Sequence, residues 1–165
     1  MTTEQFIKSV ESAEAPLRRF LRTLCRGDAA KADDIAQEAL MKAYLHHSDF
    51  GFRAKFSTWL YRIAYRAFLD WRASAARNAT CESIDTPSAR KIAAEDAGAE
   101  YTPLYDAIDA LGEEERICVI LFYMEDRTIA EIALITAKPA GTVKSLLSRA
   151  RVHLKKKLQT TKEWN

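Results

Sequence analysis

The sequence predicts an all-α protein made of two small helical domains that a flexible linker joins. Apolar residues recur at steps of three and four towards both ends of the chain, the spacing of amphipathic helices, and no stretch alternates like a strand. Residues 79–102 mix Ser, Thr, Pro, Gly and Ala with scattered charge and show no sustained apolar period, so we interpret them as an acidic linker. The two domains are therefore expected at residues 1–78 and 103–165.

Three helices are expected in the first domain. The first carries an apolar stripe that runs from Phe6 to Leu24, and the second opens after Gly27-Asp28. The buried side of the second helix is formed by Ile35 and several alanines. Its outward side is expected to present a mainly acidic set: Asp33, Asp34, Gln37, Glu38 and Lys42.

The third helix, "FSTWLYRIAYRAFLDWRAS", follows the loop "HHSDFGFRAK", which breaks the helical period. We expect Trp59, Phe68 and Trp71 to belong to the core, with Ile63 on the same side. A second group is expected to point outward, and it mixes aromatic and basic side chains: Tyr61, Arg62, Tyr65, Arg66 and Arg72.

The second domain is expected to end in two helices across a tight turn. Thr128 and Glu131 have the spacing of a capping box that starts a short helix, and "AKPAG" is a turn that ends it. Thr142 is expected to cap the last helix through its hydroxyl group. Leu147 and its apolar neighbours share one face of that helix, Leu146 lies at the edge of this face, and basic residues point elsewhere. This arrangement is a helix-turn-helix, which places its second helix in the major groove of DNA.

Two basic segments stand out although the net charge of the chain is only +2. The segment from Arg53 to Arg77 contains six basic residues and a single acid, Asp70. Residues 141–158, "GTVKSLLSRARVHLKKKL", contain six basic residues and no acid. Basic surfaces of this kind bind polyanions, because each neutralised phosphate releases counterions. A solvated helix end explains Lys155 to Lys157 equally well. It does not explain Lys144 and Arg149 near the helix start, so the pattern favours nucleic-acid binding.

The composition argues against several other classes. No apolar run approaches the roughly 20 residues that cross a membrane, and the amino terminus is too polar for a signal peptide, so the protein is expected in the cytoplasm. Three distant cysteines fit neither a disulfide framework nor a C-x-x-C metal site. The three histidines lack metal-ligand spacing, and no phosphate-binding glycine loop or nucleophile motif occurs. We therefore expect no catalysis, metal or cofactor.

Three segments in this order carry a family resemblance: "ADDIAQEALMKAY", "FSTWLYRIAYRAFLD" and "RTIAEIA" followed by "GTVKSLLSRAR". Together with the acidic spacer, they resemble the extracytoplasmic-function (ECF) sigma factors of bacteria. The resemblance implies two helical domains, sigma region 2 at residues 1–78 and sigma region 4 at residues 103–165. It also implies that they bind core RNA polymerase and recognise promoter DNA at its minus-ten and minus-thirty-five elements.

The resemblance implies three sets of site residues. The first matches the motif that docks on the β′ clamp helices of polymerase: Asp33, Asp34, Gln37, Glu38 and Lys42. The second matches the segment that opens and holds the minus-ten element, next to a loop, "SDFGFRAK", that receives a base turned out of the duplex: Arg53, Lys55, Tyr61, Arg62, Tyr65 and Arg66. The third matches the helix that reads the minus-thirty-five element: Thr142, Lys144, Ser145, Ser148, Arg149 and Arg151.

The chain departs from the family pattern at two positions. Tyr44 stands where the family often has tryptophan, and Leu146 replaces a usual arginine of the minus-thirty-five helix. The resemblance further implies an anti-sigma factor as a partner. Two alternatives to the sigma-factor reading stay open: a helix-turn-helix regulator with an amino-terminal partner-binding domain and, more weakly, an enzyme with a DNA-binding tail.

Overall fold

The computed structural model describes residues 1–79 and 102–162 of the chain. In these two ranges the chain forms helices and connecting turns without any strand, and it divides into two compact units. The all-α prediction is confirmed. The predicted linker lies outside the described residues except for its two ends, so the proposed domain boundaries stay predictions.

The first unit contains three long helices. They are α1 (Thr3–Leu24), α2 (Ala29–Leu45) and α3 (Phe56–Asn78), with a single 3₁₀ turn at His47–Asp49 after α2. Thr2 and Gln5 form a capping box at the start of α1, and the Asp28 side chain accepts a hydrogen bond from the Lys31 amide at the start of α2. The predicted opening of the second helix after Gly27-Asp28 is therefore confirmed.

The core of the first unit lies around α2, which packs against both α1 and α3. Alanines dominate the buried side of α2, and small side chains let the two neighbouring helices approach closely. Most of the predicted stripe on α1 is buried, although Val10 is only half-buried. Phe20, which the stripe did not include, is also buried, and its ring stacks on that of Tyr61 with 4.7 Å between ring centroids.

Four helices and a π-helical turn lie in residues 102–162, most of which belong to the second unit. They are α4 (Thr102–Asp109), α5 (Glu113–Val119), the π-helical turn at Ile120–Met124, α6 (Ile129–Thr136) and α7 (Ala140–Lys162). The capping box of Thr128 and Glu131 is confirmed. Ala137 ends α6 with a left-handed backbone (φ 55°). The predicted cap at Thr142 is wrong, because α7 begins at Ala140 and Thr142 already lies in its first turn.

In the second unit both α4 and α5 pack against α7. Val143, Leu147 and Ala150 of α7 are buried as predicted, and Leu146, which was expected at the edge of this face, is buried as well. Polar contacts support the packing: Arg116 donates to Asp109 across 3.2 Å, and the His153 ring lies 2.7 Å from the buried Glu115 carboxylate. The position of α7 is thus fixed by both apolar and polar contacts.

Candidate nucleic-acid and partner interfaces

The outward side of α2 carries the acidic residues that the sequence singled out. Asp34 and Gln37 are exposed, and the described residues give neither side chain a partner. Glu38 pairs with Lys42, 2.6 Å away and one turn later, and Lys42 also lies 3.7 Å from Asp70. Asp33 points sideways and pairs with Arg18 of α1 across 2.7 Å. Of these five residues, Asp34 and Gln37 therefore have no side-chain partner among the described residues. The other three are held by ion pairs.

Electrostatics keep Lys42 of α2 charged. The hydrogen bond to Glu38 raises the pKa of Lys42, partial burial opposes this shift, and the charge of Glu38 adds to it. Lys42 thus neutralises Glu38 locally. A partner that seeks negative charge would meet it first at Asp34, whose carboxylate has no such neighbour.

Two exposed apolar residues extend the same side of α2. Met41 is 62% exposed and Leu45 is 68% exposed. They follow Asp34 and Gln37 at helical spacing, so the four side chains form one continuous stripe. Met41 and Leu45 were not predicted to belong to this surface, although their spacing from Gln37 is visible in the sequence. This stripe has an acidic start and an apolar end, which is the character of a protein-binding surface. We call it the α2 stripe, and it consists of Asp34, Gln37, Met41 and Leu45.

The basic residues expected at the minus-ten element lie on α3 and the loop before it. Arg66 is exposed, and Arg62, one turn earlier on the same side of the helix, is half-buried. Arg53 and Lys55 are exposed in the loop that leads into α3. Four cations are thereby brought to the amino-terminal half of α3 and its entrance.

The outward orientation predicted for Tyr61 and Tyr65 is wrong. Tyr61 is 0% exposed and Tyr65 is 6% exposed. Tyr61 stacks on Phe20 of α1, and the Tyr65 ring lies over that of Phe68 with 6.4 Å between centroids. An aromatic ring gains more from burial than from water, so both rings extend the apolar face of α3.

The loop before α3 presents a different aromatic side chain. Phe52 is 64% exposed and adopts a left-handed backbone (φ 54°), while its ring lies 4.9 Å from the buried Phe50. Phe50 in turn contacts Trp59 at 5.1 Å. Trp59 and Trp71 are only half-buried, so the core assignment is confirmed for Phe68 alone among the three. Phe52 was not singled out individually from the sequence, because its exposure depends on the loop backbone.

All the residues predicted to contact the minus-thirty-five element are exposed on α7: Thr142, Lys144, Ser145, Ser148, Arg149 and Arg151. They do not form one line. Lys144 and Arg151, seven residues apart, share one flank of the helix, whereas Arg149 lies towards the other flank. The exposed surface of α7 therefore offers cations on both sides of its outermost line.

One flank of α7 lies near an acid. Lys138, in the turn before α7, pairs with Glu114 of α5. The hydrogen bond from Lys138 lowers the pKa of Glu114, and the charges of Lys138 and, last, of Arg149 act in the same direction. Glu114 is therefore ionised at neutral pH and lies close enough to Arg149 for the two charges to attract.

The other flank of α7 meets aromatic rings. The Arg151 Nε donates a hydrogen bond to the Tyr123 hydroxyl oxygen across 2.6 Å, and the guanidinium carbon lies 5.9 Å from the ring centroids of both Phe122 and Tyr123. Tyr123 was not predicted to belong to the site. It stands 28 residues before Arg151, so no local pattern in the sequence connects the two.

The described residues show no metal site, and the thiol of Cys118 is not activated. No group of His, Cys, Asp and Glu in these ranges could hold a metal ion. Burial raises the pKa of the Cys118 thiol to about 11, which keeps it protonated and unreactive at neutral pH. No helix in the described part of the chain is long and apolar enough to cross a membrane.

Comparison with known proteins assigns both units to one family. Residues 10–78 match the sigma-70 region 2 family, and residues 101–154 match the sigma-70 region 4 family. The ECF RNA polymerase sigma factor SigW of Bacillus subtilis (strain 168) is 32% identical over 161 residues, a match that covers 81% of this chain and 78% of the relative. The ECF sigma factor SigM of Mycobacterium tuberculosis (strain H37Rv) is 34% identical over 140 residues, covering 84% and 69%.

Solved structures show the same fold. The sigma factor RpoE in complex with the anti-sigma factor NepR from Bartonella quintana superposes with a TM-score of 0.76 at 24% identity, covering 95% of this chain and 98% of that one. CnrH, in complex with the cytosolic domain of CnrY, gives a TM-score of 0.72 at 20% identity, covering 96% and 90%. With regions 2 and 4 in family order and an ECF relative at 32% identity, the chain belongs to the ECF sigma factors, which direct core RNA polymerase to promoters to initiate transcription.

Proposed function

We propose that this protein works in the cytoplasm as a binding protein without catalysis of its own, and that three separate surfaces divide its task. The observation that carries the proposal is the division of α7. Its apolar side is buried in the second unit, and every α7 residue expected to contact DNA is exposed. A recognition helix needs this division, because it must be held rigidly by one side and read the groove with the other.

The outward side of α2 is the proposed surface for the β′ clamp helices. Asp34, Gln37 and Glu38 supply acceptors for basic groups, and Met41 and Leu45 supply the apolar contact that a docking helix needs. Asp33 and Lys42 act at the edge of this surface through their ion pairs with Arg18 and Glu38.

The entrance of α3 is the proposed surface for the minus-ten element. Arg53, Lys55, Arg62 and Arg66 neutralise phosphates there, and the exposed ring of Phe52 offers a stacking platform for a base turned out of the duplex. Stacking suits separated strands, since each base stacked on an aromatic ring contributes about 1–3 kcal/mol. The buried Tyr61 and Tyr65 support the helix from within.

The exposed side of α7 is the proposed surface for the minus-thirty-five element. Ser145 and Ser148 offer small hydroxyl groups along the outermost part of the helix, where it would approach base edges, and Thr142 offers another on the flank of Arg149. Lys144, Arg149 and Arg151 bring cations to both flanks, where the phosphates on either side of a groove lie.

An anti-sigma factor is the proposed regulator of this chain. The two solved structures with the same fold were both determined in complex with a second protein, an anti-sigma factor in one and the cytosolic domain of CnrY in the other. We expect such a partner to cover the α2 stripe and the α7 surface, because blocking both prevents polymerase and promoter binding together.

Run-off transcription with purified core polymerase tests the proposal. The full-length protein is added to core from the same bacterium on a pool of genomic fragments, with core alone and core with a housekeeping sigma factor as controls. We expect transcripts with defined starts that appear only when this protein is added. Fragment binding without initiation would instead identify a helix-turn-helix regulator, and the proposal would be wrong.

A further inference from the structure

We propose that Tyr123 is a positioning residue for promoter DNA, which holds the Arg151 guanidinium so that its outer nitrogens bind a backbone phosphate beside α7. The inference rests on the proposed role of α7 and names a residue outside that helix as part of the same surface. Tyr123 belongs to the π-helical turn after α5, and it is 54% exposed. Its hydroxyl group is therefore at the surface where a phosphate would arrive.

The contacts fix Arg151 on two sides. The Tyr123 hydroxyl oxygen accepts from Nε across 2.6 Å, which sets the orientation of the planar guanidinium. Phe122 and Tyr123 stand nearly perpendicular to each other, with 4.9 Å between centroids, and both rings lie 5.9 Å from the guanidinium carbon. The described residues provide no hydrogen-bond partner for the two terminal nitrogens of Arg151. Arg151 is exposed, so these two nitrogens are available to a ligand.

A phosphate is the ligand that this geometry fits. A guanidinium fork with two parallel N–H groups matches two phosphate oxygens. The Tyr123 hydroxyl accepts from Arg151 and still has its own proton to donate, so it can contribute a third donor to the same anion. Lys144 and Lys155 lie on the same flank of α7, whereas Glu114 and Glu115 contact residues at its other side or before it. This flank is therefore basic over more than two helical turns.

Ordering the Arg151 guanidinium before a phosphate binds improves the affinity without adding a charge. A long arginine side chain loses rotamer freedom when it binds, and a tether that already orders it reduces that loss. Removing the tyrosine hydroxyl should therefore weaken DNA binding moderately while the number of neutralised phosphates stays the same. Removing the arginine should change both the affinity and the number of released counterions.

A double-mutant cycle on the holoenzyme tests the proposal. Tyr123→Phe, Arg151→Ala and the double variant are each assembled with core polymerase. Affinity is measured over a salt series on a duplex that the wild-type holoenzyme selects from a randomised library, and on a scrambled duplex. We expect Tyr123→Phe to bind both duplexes about threefold to tenfold more weakly. The salt slope, which is the slope of log affinity against log salt concentration, should stay unchanged. We expect Arg151→Ala to lower the slope by about 0.9, the value for one phosphate. In the Arg151→Ala background, Tyr123→Phe should have no further effect.

Two controls separate positioning from a structural role. Tyr105→Phe removes an exposed hydroxyl from α4 in the same unit and should leave affinity unchanged. Arg151→Lys keeps the charge but not the fork, so it should retain the salt slope and lose the effect of Tyr123. Equal weakening by Tyr123→Phe with and without Arg151 would overturn the proposal, and so would no weakening at all. If Lys144→Ala, Arg149→Ala and Arg151→Ala all leave promoter affinity unchanged, the proposed role of α7 itself is wrong.

Discussion

Joint replacement of Asp34, Gln37 and Glu38 by alanine should separate polymerase binding from folding. All three side chains lie on the outward side of α2, and none contributes to the buried alanine side that packs between α1 and α3. The variant therefore removes the proposed docking groups and leaves the core of the first unit intact.

The expected cost in stability follows from the one contact that is lost. The pair of Glu38 and Lys42 is about half-exposed and spaced one turn apart, so it contributes about 0.3–0.5 kcal/mol. Alanine has the higher helix propensity at all three positions, which offsets part of that loss. The net change stays within about 0.5 kcal/mol, equivalent to a shift of roughly 2–4 °C in the melting temperature of a unit this small.

The expected cost in polymerase binding is larger. Each polar contact at an interface contributes about 0.5–1.5 kcal/mol, so the loss of three should weaken core binding at least about tenfold, or about 1.4 kcal/mol. Competition against a labelled sigma factor for core polymerase measures this affinity, and circular dichroism melting measures stability. Glu11→Ala, which removes an exposed acid from α1, serves as the matched control. If the triple variant binds core polymerase as tightly as the wild type does, and Glu11→Ala does so too, the assignment of this surface is refuted.

Three further predictions concern the DNA-binding surfaces. Alanine at Arg62 and Arg66 together should reduce open-complex formation, measured by permanganate-reactive thymines, more than core binding; an equal loss of both would mean that these arginines support the helix instead. Arg149→Ala should weaken binding to the cognate minus-thirty-five element by about 1–3 kcal/mol if the Arg149 side chain contacts a base. Lys156→Ala should weaken binding less, and in a salt titration it should affect promoter and scrambled duplexes alike. Identical effects of the two variants would identify α7 as a nonspecific basic helix. Leu147→Ala, which truncates a buried side chain, should lower the free energy of unfolding by about 2–5 kcal/mol in a denaturant titration, and an unchanged midpoint would contradict the packing of α7.

Helices and their starts were predictable because they follow from local chemistry. The capping box of Thr128 and Glu131 and the cap at Asp28 are formed by residues within one turn of each other. The start of α7 was misjudged for a related reason. Pro139 precedes the helix, and its backbone angle is suited to a helix start. The helix therefore begins at Ala140, ahead of Thr142, and does not use the hydroxyl group of Thr142 as a cap.

Side-chain orientation on α3 was less predictable. Leu60 and Ala64 mark the centre of its buried side, and Tyr61 and Tyr65 each lie one position further round the helix. The period alone does not decide whether a tyrosine at that border turns inward. The presence of Phe20 on α1 decides it for Tyr61, and that contact joins residues far apart in the chain. The contact between Tyr123 and Arg151 was missed for the same physical reason.

Leu146 connects the core of the second unit with its DNA-binding surface. The family usually has an arginine at this position, and here the leucine is buried beside Leu147. Burying a leucine stabilises a fold by about 1.5–3 kcal/mol, a substantial gain for a unit of this size, whose core is necessarily small. The same exchange leaves one cation fewer at the start of α7, so we expect fewer charges to meet phosphates there. Arg149, three residues further along α7, is the cation nearest to this position, so we expect the loss of its charge to weaken promoter binding more in this chain than in a relative that keeps the arginine.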